Sequence, residues 1–428
     1  MLDNVQFTVL KNGATVVTAA VADAESVAVG IWVGVGGRHE KPSLTGASYF
    51  LEHMLFKGTS TRSALQVTQA IEGRGGYLNA FTQEESTCYY ARLPHEYLPQ
   101  AFDVLADMYL NAAIKEDDLN RERDVILEEL KMYQDQPQHV VQEKLQEALF
   151  KGHALGMPLS GDEKTLAKMN RDTLLRYKAQ AYLPSTTVFA FSGRLDHEAC
   201  VACVETALGG VRKGRGLDFK AVDGAVGQDR YVLVKKDIAQ VQAVVGFRVF
   251  GRHDDRRFAL RVLNAILGEN MSSRLFQSVR ERHGLCYSIQ SSFQLFEETG
   301  VFAISGGFDT QRAMAALKLT AQEIRRVLDT KVSARELKRA KDYLIGTFRL
   351  GLEGTGNQMM YIGESFLNYG RMVRPEETLA GLQAVMAADV QRLAADVFDP
   401  SRMTVSLVVP NAQPESQDDW LGSLAAMV

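Results

Sequence analysis

Glu52 and His53 are adjacent, and Tyr49 stands one helical turn before His53 in the run Tyr49-Phe50-Leu51-Glu52-His53. On a helix, positions 49 and 53 share a face and position 52 lies beside them. Two histidines at that spacing, with a glutamate just before the second, make the H-x-x-E-H arrangement. Its imidazoles hold a metal ion and its carboxylate activates a water on that ion. Here the glutamate and the second histidine are in place, and a phenol occupies the first ligand position. A second helical run, Asp118 to Leu130, carries Glu122 and Glu129 seven residues apart, so both carboxylates leave one face.

The elements that must position these groups are legible around them. Leu44 to Lys57 has apolar residues at helical spacing, with Gly46 near its start and Gly58 just past its end. Before it, Phe7–Leu10 and Thr15–Val17 flank Lys11-Asn12-Gly13, a hairpin signal. A buried strand, Ser26–Val33, then runs into Gly36-Gly37-Arg38-His39-Glu40. The pattern returns half a chain later, where Val241–Val249 ends in Gly251-Arg252-His253-Asp254. Gly30 and Gly246 are 216 residues apart, and Arg38 and Arg252 are 214 apart. In each half a helical segment follows and then a glycine-marked turn into a strand, at Gly75-Gly76-Tyr77-Leu78 and at Gly284-Leu285-Cys286-Tyr287. So constant an offset predicts a duplicated α+β domain: two homologous lobes, each a sheet with helices. The boundaries expected are 1–210 for the first lobe, 211–228 for a linker rich in glycine and charge, and 229–428 for the second. The segment Gln413-Pro414-Glu415-Ser416 reads as a loose end.

Length and composition bound the alternatives. A chain of 428 residues exceeds one ordinary core. A net charge of -4, with no run of Lys and Arg, argues against a nucleic-acid surface. No apolar stretch is long enough to span a bilayer, and the start lacks the pattern of a secretory signal, so a cytoplasmic protein is expected. Four scattered cysteines make no disulfide scaffold, and Cys200 and Cys203 read as two half-buried thiols one turn apart. Gly34-Val35-Gly36-Gly37 lacks the following G-K-[ST] of a phosphate loop and reads as a turn. His95, His197 and His283 read as surface or turn residues.

The motif region, Leu78-Asn79-Ala80-Phe81-Thr82, His153 to Gly161, Ser272-Ser273-Arg274-Leu275-Phe276 and Arg280 to Tyr287 together resemble the pitrilysin-type (inverzincin) metallopeptidases. The resemblance is to the short-chain branch that includes mitochondrial processing peptidase, and it spans nearly the whole chain. It implies that Glu129, 76 residues after His53, is the third zinc ligand and that Glu122 supports the site. It implies that Asn79, Ala80, Phe81 and Thr82 form an edge strand on which extended substrate lies. It implies that Arg280 and Tyr287 reach the substrate backbone and the transition-state oxygen, and that Phe56 walls a pocket beside the scissile bond. Two lobes of this kind form half of a clamshell, and the family's short chains work as pairs. The family's arginine preference comes from two acidic residues, but the matching positions here are His139 and Glu143, so one acid is missing.

Tyr49 divides what the resemblance implies. With zinc held by His53 and Glu129, helped by Tyr49 or a water, and Glu52 as base, the chain is a zinc endopeptidase that hydrolyses extended peptides. Phenol, however, has a pKa of about 10 and is longer than imidazole, so Tyr49 can equally fill the site and leave zinc weakly held. The chain is then a catalytically silent partner, in a dimer with a related subunit carrying an intact motif, or a structural subunit.

Overall fold

The computed structural model describes residues 2, 4–211, 213–223 and 227–411. Parts of the expected linker (212 and 224–226) and the segment Gln413 to Ser416 lie outside the described residues.

The chain forms two compact units, each a sheet with helices. The first contains 1–130, 157–220 and 349–375, and the second contains 131–156, 221–348 and the residues from 376 on. The first sheet comprises β1 (Val5–Val9), β2 (Thr15–Ala20), β3 (Ser26–Val33), β4 (Tyr77–Thr82), β5 (Thr87–Pro94) and β6 (Thr187–Gly193). Its order is β1-β2-β6-β3-β5-β4. The second comprises β7 (Tyr231–Lys236), β8 (Gln240–Phe250), β9 (Cys286–Leu295), β10 (Thr299–Asp309) and β11 (Met403–Pro410), in the order β7-β11-β8-β10-β9. Mapping β2 through β6 onto β7 through β11 gives one topology, including the parallel pairs β2/β6 and β7/β11. The duplication expected from the glycine and arginine offsets is therefore real. It makes β4 and β9 equivalent edge strands.

Each unit completes itself with a helix from the other half of the sequence. The helix Thr355–Tyr369 lays Met359, Ile362 and Phe366 on Trp32, Val188 and Ala190 of the first sheet. The helix Pro137–Leu149 lays Val140, Val141, Leu145 and Leu149 on Val244, Val301 and Val408 of the second. The repeated mid-strand glycines mark these contacts. A Cβ on Gly30 would fall 2.3 Å from Met359 Sδ, and one on Gly246 would fall 2.7 Å from Leu145 Cδ2. Valine is a favourable strand residue, yet Gly30→Val and Gly246→Val should each cost about 1–3 kcal/mol by overpacking, read as a lower urea midpoint at unchanged slope.

The first stretch of the expected linker packs onto its lobe. Arg38, 2% exposed, pairs with Glu85, donates to Lys220 O (3.3 Å) and lies 3.9 Å over the Phe219 ring. The His39 ring meets the same phenylalanine edge-on, and Ser185 Oγ donates to Gly214 O at 2.7 Å. Burial, aided by the Arg38 charge, pushes His39 down to about 4, with Asp218 pulling the other way. Its Nδ1 accepts the Gly36 N–H at 3.2 Å, a bond that only an unprotonated ring nitrogen can accept. The folded state therefore resists a proton that the unfolded chain takes up near 6.5. Stability from this histidine is full above that pH and is lost as pH falls toward about 4, up to about 3 kcal/mol. Glu40, which burial raises to about 7, acts in the opposite sense, losing stability as pH rises from its unfolded value. The check is therefore the stability difference between wild type and His39→Gln, which should shrink from pH 7 to pH 4.

Candidate functional site

The motif helix runs Ala47–Leu55, shorter than the expected 44–57 because Pro42–Leu44 makes a separate 3-10 turn and Gly46 breaks the path with φ +93°. A Cβ on Gly46 would lie 2.8 Å from Gly161 Cα and from Ser160 O, so both the dihedral and the space demand glycine. Having no side chain, Gly46 cannot cap the helix. Glu40 does so instead: its two oxygens accept the Gly46 N–H (2.7 Å) and the Ser48 N–H (2.6 Å) in a buried position. At the other end, Asp107 accepts from Thr59 (2.6 Å), Thr61 (2.9 Å) and Arg62, pinning the turn that follows the helix. Phe50, Leu51, Met54 and Leu55 are buried in the core, while Tyr49, Glu52, His53 and Phe56 are half-buried.

The helix Glu116–Gln134 brings both expected carboxylates to His53. Glu122 Oε2 lies 3.2 Å from Nδ1, and Glu129 Oε2 lies 3.7 Å from Nε2. Lys57, one turn beyond His53, reaches Glu122 Oε1 at 2.6 Å. Burial pushes the Glu122 carboxyl up, but the hydrogen bonds and charges of His53 and Lys57 outweigh it and hold it below the usual range. An imidazole that donates Nδ1–H to such a carboxylate leaves the Nε2 lone pair to face a metal ion. Lys57 is a site residue that the motif does not name, although its place at i+4 from His53 puts it on the same helix face. Burial raises Glu52, with the Glu129 charge adding, against a 2.5 Å bond from Thr82 Oγ1 and the nearby His53.

Ligands around one tetrahedral zinc lie about 3.3 Å apart, so His53 Nε2 and Glu129 are close to a ligating separation. Among the described residues, no third His, Cys, Asp or Glu donor stands with them. The Tyr49 ring, at the position of the first histidine of the H-x-x-E-H arrangement, sits 4.9 Å from the imidazole ring. Among the described residues, no group of three His, Cys, Asp or Glu side chains is arranged to hold a metal. The described histidine and carboxylates therefore do not by themselves make up the three ligands of a catalytic zinc centre.

Among the described residues β4 is the edge strand of its sheet, and its ladder phase follows from the hairpin: the Gln83 N–H donates to Ser86 O, making that a bonded pair. Alternation then turns the N–H and C=O of Thr82, Ala80 and Leu78 outward, while Phe81 and Asn79 bond to β5. The side chains split as well. Leu78 and Ala80 pack on the main core and Thr82 reaches Glu52, whereas Phe81 packs toward Trp32 on the opposite face. Phe56 lies at the core margin, its ring 6.5 Å from Tyr89.

In the second unit, Arg280 sits on a π-helical turn, Phe276–Arg282, and Tyr287 is the second residue of β9. The Arg280 guanidinium lies 4.6 Å from the Phe276 ring centre and 5.3 Å from that of Tyr287, which is 81% exposed. Arg274 pairs doubly with Glu336 (2.9 and 2.8 Å) and anchors the approach to this turn. His139 stacks on Tyr133 and lies 3.9 Å from Glu143.

Two expectations need correction. His197 is buried, bridging Thr8 and Thr18 at 2.9 Å each, because its two nitrogens satisfy hydroxyls on neighbouring strands. Cys200 and Cys203 are not alike: Cys200 is buried and pushed up to about 12 by that burial, and Cys203 is exposed.

Residues 15–163 match the family described as Insulinase (Peptidase family M16), and 168–344 match the Peptidase M16 inactive domain. An uncharacterized zinc protease of Mycobacterium tuberculosis is 39% identical over 420 residues, covering 97% of this chain and 96% of that protein. The uncharacterized zinc protease YmxG of Bacillus subtilis is 36% identical over 408 residues, covering 95% and 98%. A Helicobacter pylori protease structure superposes with a TM-score of 0.88 at 20% identity, covering 96% of this chain and all of that one, which speaks for the fold alone. No described helix is long and apolar enough to cross a membrane. With both halves matched and relatives alike from end to end, the chain belongs to peptidase family M16, the pitrilysin-like zinc proteases.

Proposed function

We propose that this chain binds extended peptides along the free edge of β4 and does not, alone, complete a hydrolytic zinc centre. One observation carries the reading: the outward amides of β4 run beside Glu52, tied to it through Thr82. Strand addition to such an edge binds through main-chain groups and tolerates many sequences. His53 and Glu129 would hold zinc weakly, and the relatives named zinc proteases support zinc as the metal.

A second reading is favoured by the exposed Tyr287 and the stacked Arg280. A cation and a phenol presented together suit a developing oxyanion. The working unit is then a cytoplasmic dimer in which this pair serves a related subunit with an intact H-x-x-E-H.

Fluorescence anisotropy with a labelled pool of short peptides of randomised sequence tests the first reading. Saturable binding is expected, and it should be lost when the pool is N-methylated along its backbone. Equal binding of the N-methylated pool, or none by either, would sink strand addition as the mode of capture.

A further inference from the structure

β4 is not a fully open edge. Of its outward amides, that of Ala80 is already taken: it donates to Asn79 Oδ1 at 2.8 Å. The other end of the same carboxamide donates from Nδ2 to the phenol oxygen of Tyr77, two residues back on the same face. Tyr77 is itself steadied by the Tyr90 ring, with centroids 6.1 Å apart, although its own side chain is 52% exposed. Asn79 Oδ1 therefore stands where an arriving strand must place a carbonyl oxygen, and the two compete for one hydrogen.

We propose that Asn79, held by Tyr77, is a displaceable cap on the peptide edge. It closes the Ala80 amide in the free protein and swings aside when an extended peptide adds. This rests on the reading of β4 as that edge. Tyr77 and Asn79 thereby act on selectivity: a segment must pair well enough along Leu78 to Thr82 to displace the carboxamide, and weakly pairing strands are refused. Exposed edges invite unwanted pairing, and a side chain that satisfies one amide blunts that tendency without removing the site.

The test uses the full chain carrying Glu52→Gln, so that no peptide is cut. Hydrogen exchange resolved at the Ala80 amide reads the cap with no peptide present. Asn79→Ala should speed exchange there about fivefold or more, the worth of one net hydrogen bond. Tyr77→Phe, at an exposed position, should do so in smaller measure, and Asn79→Asp, which keeps an acceptor, should stay near wild type. With the randomised peptide pool, Asn79→Ala should bind about fivefold more tightly, because nothing need be displaced. Unchanged exchange at Ala80 in both Asn79→Ala and Tyr77→Phe would overturn the cap. Weaker peptide binding by Asn79→Ala would overturn it too, by making the carboxamide a grip. If Ala80 exchange responds as expected but wild type binds no peptide, the edge reading fails and the proposal falls with it. The exchange data separate that failure from failure of the cap.

Discussion

Tyr49→His should bring the zinc content of purified protein to about one per chain, where the unsubstituted chain should retain little, and peptidase activity should appear with it. The argument is local. His53 is oriented by Glu122 and faces Glu129, and Glu52 is held within reach by Thr82, so a single donor separates this site from a three-ligand centre. Imidazole offers that donor unprotonated at neutral pH, whereas a phenol must first lose a proton near pH 10. Loss of an orienting partner costs about 10–100-fold in metal affinity, so restoring a ligand itself should gain more than about 100-fold. Elemental analysis of untagged protein prepared without chelator, beside a His53→Ala control, reads the result. An unchanged metal content in Tyr49→His would place the deficit elsewhere. Near one zinc in the unsubstituted chain, lost in His53→Ala, would mean that Tyr49 or a water completes the site and would return the chain to the hydrolases.

The second large effect lies at the start of the motif helix. Glu40→Ala should cost on the order of 4 kcal/mol, with the cost visible as a lower midpoint in urea. Two backbone N–H groups lose their acceptor in a buried place, at about 1–3 kcal/mol each, and the deleted carboxyl leaves a cavity. Glu40→Gln keeps one acceptor oxygen and should cost about half as much. In the Tyr49→His background, Glu40→Ala should also forfeit zinc that Tyr49→His gained, because residues 49, 52 and 53 ride on the helix that Glu40 holds. A loss below about 1 kcal/mol would remove Glu40 as the cap.

Local pattern is enough to specify most of the elements and the chemistry they carry. The hairpin at Asn12-Gly13, the strand Ser26–Val33 and the motif helix are governed by local period and turn chemistry, and each forms close to where the pattern places it. The duplication is legible because the same residues recur at nearly one offset, and like patterns fold alike: five strands of the first sheet match the five of the second. The pairing of His53 with Glu122 and Glu129 was legible through family resemblance and through two carboxylates two turns apart on one helix.

Only the tertiary structure decided which helix covers which sheet. Nothing local in Thr355–Tyr369 or Pro137–Leu149 says that each serves the other half of the chain, since an apolar helix face fits any apolar sheet of matching shape. The glycines that admit these helices were noticed as a repeat, but their reason is a contact more than a hundred residues away in sequence for Gly246 and three hundred for Gly30. His197 looked like a surface residue because its two threonine partners lie some 180 positions earlier. The same holds for Lys57, whose partner Glu122 lies 65 positions on, whereas the partners of Glu40 and Asn79 are near in sequence and are set by the path of the backbone. Hydrogen-bond partners are chosen by proximity in space and by the need to satisfy buried or edge-facing groups, and that need arises only once the chain has packed.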